Sequence, residues 1–129
     1  DTSLPVQVQA DQLAVNNADG SAVFSGNVVV TQGEMKLAAG EVKVSYGADK
    51  KSIETLIASG GVTVTNLGDA AEAKEALYTI DSGQIVLSGD VLLTQGPSAM
   101  AGSRLTINLK DGTGVMEGRV TTTFVPGGN

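Results

Sequence analysis

Cysteine, histidine and tryptophan are all absent from this chain, and two Tyr and two Phe supply its whole aromatic content. Without cysteine there are no disulfides, thiol nucleophiles or thiolate ligands, and without histidine there is no imidazole for acid–base chemistry or for zinc sites of the usual kind. A cysteine-free chain suits oxidising and reducing compartments alike. Basic residues are also few. Eight Lys and Arg against fourteen Asp and Glu leave a net charge of −6, and Lys50-Lys51 is the one adjacent basic pair. Nucleic acid requires a basic face and anionic membrane surfaces require clustered cations, so neither is expected as a partner. No apolar run approaches the ~20 residues of a membrane helix, and no charged-then-apolar signal segment opens the sequence. The chain is compatible with a mature secreted form.

What is abundant is glycine: 17 of the 129 residues, about twice the usual ~7%. Several of these glycines belong to a recurring phrase. SGNVVVTQG at 25–33 returns as SGDVLLTQG at 88–96, with six of nine residues identical. Weaker copies begin at Ser59-Gly60-Gly61-Val62 and Glu117-Gly118-Arg119-Val120, so Gly26, Gly60, Gly89 and Gly118 are spaced by 34, 29 and 29 residues. A period near 30 identifies one supersecondary unit used four times. A second signature opens each unit: Ala10-x-x-Leu13-x-Val15, Ala39-x-x-Val42-x-Val44, Ala73-x-x-Ala76-x-Tyr78 and Gly102-x-x-Leu105-x-Ile107. Gly20, Gly83 and Gly112 follow at a fixed interval, two of them preceded by Asp, which is a tight-hairpin signal. The second unit is longer by five residues around Gly47 to Ile53, where a polar loop with a possible helical turn is expected.

After each turn, apolar residues alternate with period two: Ala22, Phe24, Gly26, Val28 and Val30 in the first unit, then Leu56, Ala58, Gly60, Val62 and Val64, then Ile85, Leu87, Gly89, Val91 and Leu93. In the fourth unit the row fades to Gly114, Met116, Gly118, Val120, Thr122 and Phe124. Such strands bury one face and wet the other. A glycine in the middle of every inward row marks a place where the sheet bends sharply or is approached closely. Four bends in register fold one sheet over itself, giving an all-β roll of about four ~30-residue repeats in a single domain spanning 1–129. Ala70 to Leu77 is rich in helix formers, yet the repeat register makes it the strand that opens the third unit, and register is expected to prevail.

The inward residues Val6, Val8, Leu13, Phe24, Val28 and Val30, with Val62, Val64, Leu87, Val91, Leu93, Leu105 and Ile107, line the space between the walls. That space reads either as a closed core or as an open trough. Scarcity of aromatics to plug it and the lack of end-capping units favour a trough, and aliphatic walls suit acyl chains. Roughly ten buried methylenes would contribute about 8 kcal/mol at ~0.8 each. The terminal segments Val6-Gln7-Val8 and Thr121-Thr122-Thr123-Phe124-Val125 are Val- and Thr-rich, flanked by Pro5 and Pro126. Either the prolines blunt ordinary edges, or the edges receive another strand.

Catalytic chemistry finds little support. Asp19, Asp81 and Asp111 sit at turns, while Asp90 and Glu117 have outward parity. Asn16 to Gly20 lacks the spaced acidic ligands and closing Glu of a calcium loop. Ser25, Ser59 and Ser88 have no histidine to activate them. Thr31, Thr65, Thr94 and Thr123 read as an outward ladder, and Tyr46 and Tyr78 as edge packing. Neither an enzyme nor a cofactor or metal is expected.

The phrases FSGNVVVTQGEMKLAAGEVKVSY and LSGDVLLTQGPSAMAGSRLTINL, the opening PVQVQADQLAV and the closing RVTTTFVP resemble the LptA family of periplasmic lipopolysaccharide-transport proteins, over roughly residues 4 to 126. It is part of the wider OstA-like group, with the LptC periplasmic domain and the N-terminal domain of LptD. The resemblance implies a twisted, V-shaped antiparallel β-jellyroll in the periplasm, holding lipopolysaccharide acyl chains between its sheets. It also implies head-to-tail pairing with LptC-like and LptD-like domains or with further copies, Val6 and Val8 meeting the upstream partner and Thr121 to Val125 the next roll. Without an anchor segment the sequence looks like the free-standing bridge protein. The rival reading from the residues is a structural scaffold or adhesin module with a closed core and no lipid.

Overall fold

Period-two alternation becomes strand over most of its length in the computed structural model, which describes residues 4–47, 52–66 and 68–126, with breaks at Gly60, at 118–120 and beyond Thr123; no helix is found among the described residues. The strands are β1 (Gln7–Gln9), β2 (Gln12–Asn16), β3 (Ser21–Gln32), β4 (Met35–Tyr46), β5 (Ile53–Ser59), β6 (Val62–Asn66), β7 (Asp69–Ala73), β8 (Glu75–Thr79), β9 (Gln84–Gln95), β10 (Ser98–Asn108), β11 (Thr113–Glu117) and β12 (Thr121–Thr123). All pair antiparallel within one sheet. The helix-forming residues 70–77 are strand, as the register requires, divided at Lys74 into β7 and β8. The polar loop expected in the second unit falls largely on residues 48–51, outside the described residues.

Four strands, β3, β4, β9 and β10, run the full depth of the sheet, and each pairs with two short strands end to end on one side. The halves thereby form two walls. The first contains β2, β5, β8 and β11 with the adjoining halves of the long strands; the second contains β1, β6, β7 and β12 with the other halves. The seam between them is the repeated phrase. Gly26 and Asn27 are both left-handed, at φ 80° and 51°, and so are Gly89 and Asp90, at 86° and 49°. Two consecutive left-handed residues shift the register between Ser25 and Val28, which turns the strand through a corner while returning its apolar parity to the interior.

Gly89 shows why the corner needs glycine. A Cβ there would lie 2.8 Å from the Cβ of Lys74, and the Lys74 amide donates to the carbonyls of Ser88 and Gly89 at 3.1 and 3.0 Å. The fold thus closes tightly at the residue where the alanine-rich segment changes wall.

Three connections are four-residue loops closed by glycine amides: Gly20 to Asn16, Gly83 to Thr79 and Gly112 to Asn108, at 2.9–3.0 Å. In two of them the acidic residue also organises the return strand. Asp19 accepts from the amide and hydroxyl of Ser21, and Asp111 from those of Thr113. These bonds hold both carboxyls below the usual carboxylate range. The expected threonine ladder exists as one row, but Lys36, Ala70 and Ala99 separate its members, so no Thr faces another directly.

Candidate functional site: a cleft between two walls

Cross-strand register carries the inward residues into continuous rows. Leu13, Phe24, Val42, Ala58, Ala76, Leu87, Leu105 and Met116 follow one another across the first wall. Val8, Val30, Leu37, Val64, Ala71, Leu93, Met100 and Thr122 do so across the second. The rows face each other across the fold and are not equally filled.

Toward the N-terminal end the space is packed. Val28, Val30, Leu37, Val42, Val44 and Leu56 are essentially inaccessible, each such side chain contributing about 1.5–3 kcal/mol by burial. Tyr78 is in the same region and is completely buried. Its hydroxyl donates to Gln32 Oε1 at 2.5 Å, and Gln32 Nε2 donates to the Leu4 carbonyl at 2.9 Å. Burial pushes the phenol above its ordinary pKa, so it remains a donor at neutral pH. Edge packing, the role expected of both tyrosines, describes Tyr46, which is exposed, but not Tyr78. The sequence does contain a plug.

Toward the C-terminal end a cavity of about 230 Å³ remains open. Val64, Ala71 and Leu93 line it from the second wall, Leu105, Ile107 and Leu109 from the first. Its rim is polar, with Asn66, Asp69, Gln95, Asn108 and Thr113; Gln95 donates to Asp69 at 3.1 Å. The opening has a simple origin. Ile107 pairs with Gly114 on β11, so the row that carries Leu56, Tyr78 and Ile85 further back ends without a side chain.

Of the expected trough residues, Val64, Leu93, Leu105 and Ile107 line the cavity. Val28, Val30, Val62, Leu87 and Val91 are buried in the core and do not line the cavity. Val6, Val8 and Phe24 are half-buried. Leu13 is on the inner face by register but 53% exposed, because β2 pairs on one side only. Ala71 and Leu109 were not anticipated. The first is hidden in a helix-like segment, and the second belongs to a loop that no periodicity reaches.

Among the described residues, both ends of the stack present an edge paired on one side only. β1 and β2 pair only with β3, and β11 and β12 only with β10. Val8 lies within β1, whose residues Gln7 to Gln9 face Thr31 to Val29. The last strand is shorter than expected: Thr121, Thr122 and Thr123 pair with β10, whereas Phe124 and Val125 lie beyond it, Phe124 being 71% exposed. Among the described residues no cluster of acidic side chains is arranged to hold a metal ion.

A single antiparallel sheet, folded into two walls over an apolar cleft, with end strands paired on one side only among the described residues, defines an open β-roll. The chain belongs to the family described as LptA and LptD N-terminal domain lipopolysaccharide transport proteins, whose model matches residues 7–113. Lipopolysaccharide export system protein LptA of Escherichia coli K12 is 28% identical, over 98% of this chain and 74% of that one. An uncharacterised protein of Rhizobium meliloti is likewise 28% identical, over 95% of this chain and 72% of that one. LptH, the LptA-homologous periplasmic component of the lipopolysaccharide transport device of Pseudomonas aeruginosa, has the same fold, with a TM-score of 0.87, 21% identity and coverage of 98% and 99%.

Proposed function

We propose that this chain is a non-enzymatic carrier that holds the acyl chains of lipopolysaccharide in the cleft and forms one module of a periplasmic bridge between the inner and outer membranes. The observation that carries this reading is the open cavity, apolar in its walls and polar at its rim, next to a bare strand edge. Such a site matches an amphipathic ligand whose tails enter and whose head stays in water. With a net charge of −6, affinity for an anionic lipid comes from tail burial, at ~0.8 kcal/mol per methylene. Family membership supports the cargo, and the names of the relatives support export and a periplasmic setting.

Native mass spectrometry of the protein mixed with lipopolysaccharide tests the reading. Retained lipid is the expected result; a protein that stays lipid-free at saturating lipopolysaccharide overturns it and leaves the closed-core scaffold. The dry packing around Leu56 and Tyr78 is what that rival has in its favour. Assembly is a separate claim. Edge strands β1 and β12 suit head-to-tail addition to LptC-like and LptD-like rolls or to further copies. Deleting residues 119–129 is expected to abolish concentration-dependent oligomers in light scattering while circular dichroism stays β-type.

A further inference from the structure

We propose that Tyr78 and Gln32 form a latch that stops an acyl chain at the boundary between the open and packed parts of the cleft, and that further entry requires this hydrogen bond to break. The inference rests on the carrier reading. The bond joins the walls: Tyr78 is on β8 in the first, Gln32 ends β3 in the second, and their atoms meet at 2.5 Å. Both residues are buried, at 0% and 3% exposure, so the interaction is shielded from water, and the Leu4 carbonyl fixes the Gln32 amide from the far side.

The position matters as much as the bond. β8 is followed in the first wall by β9, β10 and β11, and the cavity is lined in that wall by β10, the loop after it and the start of β11, and in the second wall by β6, β7 and β9. In the row that runs inward from Ile107, Ile85 on β9 comes first and Tyr78 on β8 follows it, so a chain entering from the C-terminal opening reaches Tyr78 once it has passed Ile85. The cavity, about 230 Å³, is smaller than the ~300–1,000 Å³ of ordinary small-molecule sites, so a lipid with several tails cannot be seated unless the walls part. Parting them separates β8 from β3. Apolar contacts weaken gradually with such movement, whereas a hydrogen bond is lost within a fraction of an ångström. The latch therefore sets a threshold between shallow and deep occupancy.

The test is methyl NMR of the full chain with lipid A carrying a nitroxide at an acyl terminus. Broadening in the parent is expected at Leu93, Leu105 and Ile107 and not at Val44 or Leu56. Tyr78→Phe keeps the ring and removes the donor. It is expected to extend broadening to Val44 and Leu56 and to raise the deep-bound population about threefold to tenfold, the span set by a hydrogen bond of ordinary net strength. Gln32→Met, which removes the acceptor and keeps the length, is expected to act the same way and serves if the first variant folds poorly. Equal broadening of both regions in the parent, or an unchanged pattern in folded variants, overturns the latch and leaves the carrier standing. Absence of broadening anywhere overturns the carrier reading and the latch with it.

Discussion

The two ends of this roll are built from the same repeat and differ in what the repeat leaves inside. Behind the N-terminal edge, across β3, β4, β5 and β8, the inward rows hold Val30, Leu37, Val44, Leu56 and Tyr78, all at 1% exposure or less. Near the C-terminal end the same rows run into Gly114 and Thr122. Backbone pairing continues unchanged through both. The comparison separates two properties that a repeat fold combines: hydrogen-bonded register forms the walls, and side-chain volume decides whether the space between them is core or site.

The largest expected contrast comes from trimming one side chain in each part. Leu56→Ala opens a hole in packed surroundings and is expected to cost about 2–5 kcal/mol in urea unfolding. Ile107→Ala removes atoms that already face a cavity and is expected to cost less than ~1.5 kcal/mol, while weakening lipid retention. Equal losses of stability would show that the C-terminal cavity closes in solution.

The seam is common to both parts, and its failure should affect them together. Gly89→Ala places a methyl 2.8 Å from Lys74 Cβ at a residue with φ 86°. The left-handed backbone alone makes the substitution cost about 1–3 kcal/mol. Amide exchange is expected to accelerate in β7, β8 and β9 alike. Protection lost in β9 only would mean that the corner acts locally and the walls are held by their packing.

Much of this was legible in the sequence because the repeat is regular. The positions of Gly26, Gly60, Gly89 and Gly118 located the seam, and alternation from Ala22 to Val30 and from Ile85 to Leu93 identified the inner face. Register also resolved Ala70 to Leu77, where local propensity points to a helix. Three features were hidden. Asn27, Asp90 and Arg119 share the left-handed corner; Asn and Asp tolerate that backbone better than other non-glycine residues, but Arg carries no such signal, so the four corners are not marked alike. The depth of Tyr78 depends on a partner 46 positions away in Gln32, which a periodic pattern does not encode. Partition of the inner rows into core and cavity depends on volumes summed across walls. The fading of the fourth row at Gly114 was visible, and its meaning emerged once Ile107 was placed opposite.

That glycine offers a way to turn one part into the other. Gly114 has no left-handed backbone, and a Cβ there would sit 3.8 Å from Leu105 Cδ1, an ordinary contact. Gly114→Ala therefore fits, narrows the mouth beside Ile107, and removes a glycine from a strand. Stability is expected to rise by about 0.5–1 kcal/mol as lipid retention falls. Retention equal to that of the parent would move the entry point away from β11.

The smallest effect concerns the loops that close the two ends, and it has a definite sign. Asp19 and Asp111 make equivalent bonds to Ser21 and Thr113, and both have carboxyl pKa values lowered from 3.8 in the fold. A group whose folded pKa is depressed contributes its full stabilisation above the unfolded value and loses it as pH falls through the folded one. Stability is therefore expected to be level from neutral pH down to about 5 and to decline below about 4. Asp19→Asn and Asp111→Asn should each flatten part of that decline, by a small amount because both carboxylates are in water. The comparison lies in where the loss is felt. Asp19 closes a loop beside packed strands, whereas Gly112 and Thr113 belong to the cavity wall. Acid is accordingly expected to quicken amide exchange in β11 before β2, and the reverse order would place the softer end of the roll at its N-terminus.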